Sequence, residues 1–357
     1  MSERGKTRNS NFECLRILAM ICIIIQHCAA HNTVHYDEVY REYFLPGLLL
    51  QWGMLGRLGV AIFILLFGYF GVEQAFNPKR ILNLIIQVFT YSVLTFAVMF
   101  SIDPAFFSRK DILEAVFPIS LNKYWFISVY VIFYLFTPFL NPFLKSLEKN
   151  RFRIFLMVQL VVWSIIPTLT LDNVKNYIDE IPQFFMIYCI GAYLRLYGSE
   201  IKKRTFAIFL TAGIAVYIIS PVVLDLLGLR YEAFDDMGNA LYTRYSVPTL
   251  FIAAGLMGLM MYKSIKSDRI INYVAGCTFG IYLFHFSVVD LLFKRFYPID
   301  SVIDNWKKTA LYILTFTVIL FISGLLIESV RKVIEKAYQP AVKKLSEKIE
   351  GIVGGNL

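Results

Sequence analysis

The stretch "FECLRILAMICIIIQHCAAH" (residues 12–31) is apolar enough to cross a bilayer, yet it carries Glu13, Arg16, Gln26 and His27. Ionisable groups inside a span cost roughly 2.5–3.5 kcal/mol each on insertion scales, so their default reading is functional. Arg16 and His27 stand eleven residues apart. On a helix that is about 16 Å of rise and a rotation about 20° beyond three full turns, so the two share one face. Glu13 lies one turn before Arg16 on the same side and can pair with it. A guanidinium at one end of this ruler holds an anion, and an imidazole at the other can take a proton from a hydroxyl near neutral pH. The pair suits a long ligand with an anionic head and a reactive tip, as a coenzyme A thioester has. In the plainer reading, Arg16 snorkels to headgroups and His27 hydrogen-bonds a neighbouring helix.

The elements that must position these groups are membrane spans. Of 357 residues 57% are hydrophobic and 17% charged, with a mean hydropathy of +0.60. A soluble domain is less apolar than this. The net charge of +9 does not indicate nucleic acid, because Lys and Arg sit in short clusters between apolar runs. No cleavable signal peptide is expected. The five cysteines (Cys14, Cys22, Cys28, Cys189, Cys277) fall in or beside apolar runs without a CxxC pair, as small packing residues do.

Ten stretches reach spanning length: 12–30, 47–71, 81–101, 124–144, 152–171, 181–197, 205–225, 244–262, 271–292 and 308–330. Counted by alternate sides, Lys and Arg favour the side of the two termini by about two to one, which places both termini in the cytoplasm. The fold class expected is an all-α integral membrane protein, a bundle of about ten transmembrane helices. It divides into an N-terminal tail (1–11), a membrane domain (12–330) and a basic C-terminal tail (331–357), with "KKLSEKIE" (343–350) as an amphipathic interfacial helix. No internal repeat is evident, which weighs against many transporter architectures.

His27, His31 and His35 also form H-x3-H-x3-H. His31 and His35 fall in a polar loop, and no carboxylate or thiol stands at ligand spacing, so no metal is expected.

Several segments together resemble the acyltransferase-3 family of integral membrane acyltransferases. The first helix fits its pattern of Arg or Lys, ten residues, then His. "RLGVAIFILLFGYF" (57–70) resembles its R-x-x-V-P-x-F-F-x-x-S-G-Y segment. "KYWFISVYVIFYLFTPFL" (123–140) resembles its H-x-W-F helix, "TFGIYLFH" (278–285) its T-x-G-I-Y-L-x-H helix, and "FNPKRILNLI" (76–85) its basic turn into the third helix. The resemblance spans roughly residues 10–330 in family order. It implies transfer of an acyl group, usually acetyl, from cytoplasmic acyl-CoA to a hydroxyl of a surface polysaccharide or its lipid-linked precursor. In that case acetyl-CoA or another acyl-CoA is a donor substrate and no cofactor is permanently bound. The setting would be a bacterial inner or cytoplasmic membrane, and self-association into a homo-oligomer is left open.

By matching position, His27 would be the catalytic histidine and Arg16 the motif arginine that acts with it, and Arg16 would also join Lys79 and Arg80 at the mouth that takes the coenzyme A phosphates. Glu13, Arg57, Trp125, Tyr282 and His285 are candidate substrate-binding residues. Arg57 should face the bundle interior and meet a partner or an anionic substrate group. His285 should lie at about the depth of His27. Trp125 and Tyr124 read as interfacial anchors or as a sugar-stacking surface, and Asp225, Glu232, Asp235 and Asp236 as a solvated loop. Three positions depart from the family pattern: Phe67 for its Ser, Ala61 for its Pro and Lys123 for its His. No appended soluble domain is expected, so transfer would be completed within the spans. Two other readings stand beside this one. A transporter or flippase would use the same buried Arg and His as substrate or proton sites, and a sensor or structural subunit would need neither for chemistry.

Overall fold

The computed structural model of the protein describes residues 10–30, 39–171, 180–263 and 265–353. The described residues contain helices and no strand. Helix α1 (Ser10–Ala30) is followed by a single turn, α2 (Val39–Glu42), and by α3 (Phe44–Trp52) and α4 (Gly56–Gly71). Helix α5 (Pro78–Ile102) opens with Pro at its first position, and the Asn77 side chain accepts from the Arg80 N–H at 3.3 Å. Short α6 (Arg109–Val116) is closed by the Ser108–Asp111 capping box. Helix α7 (Trp125–Ser146) precedes α8 (Lys149–Leu160), which runs through a π turn into α9 (Ile166–Leu169). Then come α10 (Glu180–Tyr197), α11 (Lys203–Gly228), α12 (Val247–Met261), α13 (Arg269–Ala275), α14 (Thr278–Leu291) and α15 (Trp306–Val353).

Among these residues eight helical segments are long and apolar enough to span a membrane, and α13 with α14 makes a ninth if that pair, bent by 42°, counts as one span. Apolar residues such as Leu94, Ile154 and Leu314 are more than 60% exposed, as residues facing lipid must be. The expected span at 181–197 is present as α10 but is less apolar than the rest. Its physical reason is position: α10 packs along α4 with Phe184, Ile187, Tyr188 and Gly191 buried, so it needs no lipid-facing coat.

Helix α4 is the axis of the assembly, with α1 on one flank and α10 on the other. Both approach closely because α4 offers glycine. A Cβ at Gly59 would be driven into the backbone carbonyl of Ala19, and one at Gly68 into that of Tyr188; across the same crossing Gly191 faces the carbonyl of Leu65. Small residues at such crossings give membrane helices the van der Waals contact that water would otherwise drive.

The last span does not end at 330. Helix α15 continues unbroken to Val353, so the expected interfacial helix at 343–350 is its continuation. Where α15 meets α5, Glu328 is almost fully buried. It accepts from Tyr91 Oη (2.8 Å), Gln87 (3.2 Å) and Arg331 (2.7 and 2.8 Å), so the buried carboxylate is compensated by charge and hydrogen bonds. Two further expectations are corrected. Asp225 is not in a solvated loop; it is 1% exposed near the end of α11 and accepts from Gln51 Nε2 at 3.1 Å. Tyr124 is not an interfacial anchor, being buried with its hydroxyl 2.7 Å from Ser287 Oγ.

Candidate functional site

One face of α1 lines three cavities in succession. Near its start is a mouth of about 900 Å³ with Glu13 and Arg16 in its wall. A cavity of about 280 Å³ follows and shares Arg16, Phe63 and Tyr130 with the mouth. A third, about 190 Å³, holds Gln26 and His27 and shares Ile23 and Tyr282 with the second. Residues 16, 23 and 27 therefore line one continuous stripe, as their 7- and 11-residue spacing requires. We call the side where α1 begins the proximal side and the other the distal side.

The mouth is basic, and its cations are held in place. Arg16 donates to both Glu13 carboxylate oxygens at 2.8 and 2.9 Å. Arg80 donates to Gln74 Oε1 at 2.5 Å. Arg195, which sequence reasoning did not single out, donates to Glu73 at 2.6 Å through Nε and also through Nη2. Lys79 is beside Arg80 in sequence, but the mouth wall is built from Arg80 and Arg195 and not from Lys79. Phe67 fills the mouth wall against Tyr130, with ring centroids 4.5 Å apart. A side chain of this volume narrows the mouth relative to the Ser of the family pattern.

At the distal end of the stripe, the structure brings together two histidines separated by 258 residues. His285 Nε2 lies 3.0 Å from His27 Nδ1, and His285 Nδ1 lies 3.1 Å from the Ile281 carbonyl oxygen. A carbonyl only accepts, so His285 carries its proton on Nδ1 and presents a lone pair at Nε2. His27 must then donate from Nδ1, which leaves the lone pair of its own ring on Nε2. His285 is fully buried on α14 and His27 is half-buried in the cavity wall. The arrangement sets the tautomer of a cavity-lining base by way of a second imidazole and a helix carbonyl. His285→Phe, which fills the space but accepts nothing, is expected to leave His27 as a mixture of tautomers. The ¹⁵N shifts of histidine-labelled protein in nanodiscs report this; an unchanged His27 signal would refute the assignment.

The remaining lining of the 190 Å³ cavity comes from four other helices and a loop: Arg57, Trp125, Glu180, Arg244 and Tyr282 among them. The Arg57 backbone N–H donates to Gln26 Oε1 at 3.0 Å, which fixes α4 beside α1 at the level of His27. Arg244 pairs with Glu180 at 3.6 Å and lies 4.5 Å above the Trp125 ring. Neither Glu180 nor Arg244 gave a signal in the sequence, because each is a loop-flanking charge that tertiary structure turns inward. Lys123 lies outside this cavity wall, where it donates to Ser92 at 3.1 Å; burial pushes its ammonium down to about 8. His31 and His35 lie outside the described residues. A base with a defined lone pair, reached from a cationic mouth on one side and a small polar cavity on the other, can take the proton of a hydroxyl that attacks an electrophile brought from the mouth.

A family model described as an acyltransferase domain matches residues 9–328. No curated protein and no solved structure matches the chain.

Proposed function

We propose, from the premise that this chain belongs to the acyltransferase-3 family and is a membrane acyltransferase, that it moves an acetyl group from acetyl-CoA to a hydroxyl of a surface polysaccharide or its lipid-linked precursor. The observation that carries this reading is the stripe of cavities itself: a basic mouth, a middle chamber and a base of fixed tautomer lie along one helix face. The excess of Lys and Arg on the proximal side supports a cytoplasmic mouth. There Arg16, Arg80 and Arg195 would hold the phosphates of the donor, with Lys79 near the rim. The pantetheine arm would pass Phe63 and Tyr130, and the thioester would arrive between Ile23 and Tyr282.

The acceptor hydroxyl approaches His27 Nε2 from the distal cavity. As its oxygen attacks the thioester carbonyl, its proton moves to Nε2 and a C–O bond forms. The tetrahedral intermediate then collapses with loss of the coenzyme A thiolate, which recovers the proton. During this step His27 is an imidazolium whose Nδ1–H donates to neutral His285, and the Ile281 carbonyl orients that second ring. The aromatic walls exclude water, which would otherwise hydrolyse the thioester.

Arg16→Ala is expected to raise the KM for acetyl-CoA about 10- to 100-fold while changing kcat at saturation far less, the effect of losing one or two charge-assisted hydrogen bonds. The assay is CoA release by purified protein in nanodiscs, with and without cell-envelope glycolipids. An unchanged KM would remove Arg16 from the donor site. The continuity of cavities across the bundle also fits a flippase. That protein would move its substrate without consuming acyl-CoA, so wild type that neither binds nor consumes any acyl-CoA would decide for it.

A further inference from the structure

The 190 Å³ cavity beside His27 is lined by more positive than negative charge although it lies among spanning helices. Its charged side chains are Arg57, Arg244 and Glu180. Glu180 is engaged by Arg244 at 3.6 Å, and Arg244 is further held over the Trp125 ring. That leaves Arg57. Its backbone N–H is fixed by Gln26, but its guanidinium has no hydrogen-bond or ion-pair partner among the described residues. An arginine among spans ordinarily faces a counter-charge. Among the described residues none is supplied; the Arg57 side chain is exposed, and the five N–H donors of its planar fork border the cavity.

Position sharpens the point. Gln26, which holds Arg57, is the chain neighbour of His27, and both face the same small cavity. An anion bound to Arg57 therefore lies close to the hydroxyl whose proton His27 would take. We infer that the acceptor carries a carboxylate or a phosphate next to the hydroxyl that is acylated, and that Arg57 binds this group. The inference rests on the acyl-transfer reading and narrows it to anionic carbohydrate acceptors. Glu180 and Arg244 already engage each other, so the acceptor presents its charge toward Arg57 on α4.

The test uses full-length protein in nanodiscs with acetyl-CoA and three probes: methyl glucoside, methyl glucuronide and methyl glucoside 6-phosphate. Wild type is expected to show a higher kcat/KM on one of the two charged probes than on the neutral one. Which charged probe wins separates carboxylate from phosphate. Arg57→Gln is expected to reduce that ratio about tenfold or more, and Arg57→Lys to reduce it less, since the charge remains but the fork is lost. Equal kcat/KM on all three probes, or a ratio unchanged by Arg57→Gln, overturns the inference. A loss that falls equally on neutral and charged probes also overturns it, because Arg57 would then act on the reaction and not on acceptor charge. Calorimetric binding of the two charged probes without donor keeps the two readings apart. Arg57-dependent binding with no acyl-CoA consumption would refute acyl transfer and retain the anion site; consumption without Arg57-dependent binding would do the reverse.

Discussion

His27→Ala binds acetyl-CoA as wild type does and releases almost no CoA. That is the expected result, and it follows from where the two ends of the ligand lie. The cations that would hold the donor line the mouth and belong to α1, α5 and α10, whereas His27 lines a separate cavity at the other end of the stripe. Truncating the imidazole leaves the mouth and its Glu13–Arg16 and Glu73–Arg195 pairs intact. It removes the group proposed to take the hydroxyl proton, a contribution of about 10²- to 10⁴-fold for a positioned general base. Acetyl-CoA binding by calorimetry, paired with CoA release in the same nanodiscs, reads the two separately. Retained turnover in His27→Ala would mean that the imidazole is structural. Loss of binding together with turnover would mean that the variant had lost its donor site or its fold, which a thermal melt distinguishes.

The second large effect concerns the fold. Gly68→Val is expected to prevent assembly of the bundle or to destabilise it by about 3 kcal/mol or more. A Cβ at this position meets the backbone carbonyl of Tyr188, and no rotamer change can move a carbonyl. Either α10 or α4 must retreat, and with them go the aromatic contacts of Phe67 with Tyr188 and Phe184. Gly71→Ala is the milder comparison: its nearest neighbour is the Tyr188 hydroxyl at 3.1 Å, a side-chain atom bonded to Asn141 and not a backbone carbonyl. Size-exclusion profiles and thermal melts of the two variants check this. A Gly68→Val protein as stable as Gly71→Ala would mean that the α4–α10 crossing is looser than described.

What the sequence could tell about the site depended on whether the chemistry lay within one helix or between helices. Arg16, Ile23 and His27 align through helical periodicity alone, and Glu13 reaches Arg16 from one turn away, so both features follow from spacing. The bond between His27 and His285 does not. Similar depth was legible, but a 3.0 Å contact depends on how α1 and α14 are rotated against each other, and that is decided by packing between elements far apart in sequence. Arg195 looked like an ordinary basic residue at a helix end, and Glu180 with Arg244 like loop charges; only α10 and the loop before α12, once folded, turn them into cavity walls. The fold shows the same division. Apolar length found the spans, but α10 is buried by its neighbours and so lacks the hydropathy that marks a lipid-facing helix. Asp225 and Tyr124 were misplaced for a related reason: a polar residue near a span end reads as exposed until a partner such as Gln51 or Ser287 buries it.

The stripe of cavities has a cost for a cell that stores energy as an ion gradient. A row of hollows along one face of a spanning helix, with an imidazole at its far end, is the makings of a proton wire. Arg16, Phe63 and Tyr130 border the first and second hollows, and Ile23 with the Tyr282 ring borders the second and third, so the hydrocarbon and aromatic barrier to water lies at the second junction. On the acyl-transfer reading, Ile23 and Tyr282 would thus serve as electrical insulation along the path proposed for the donor arm.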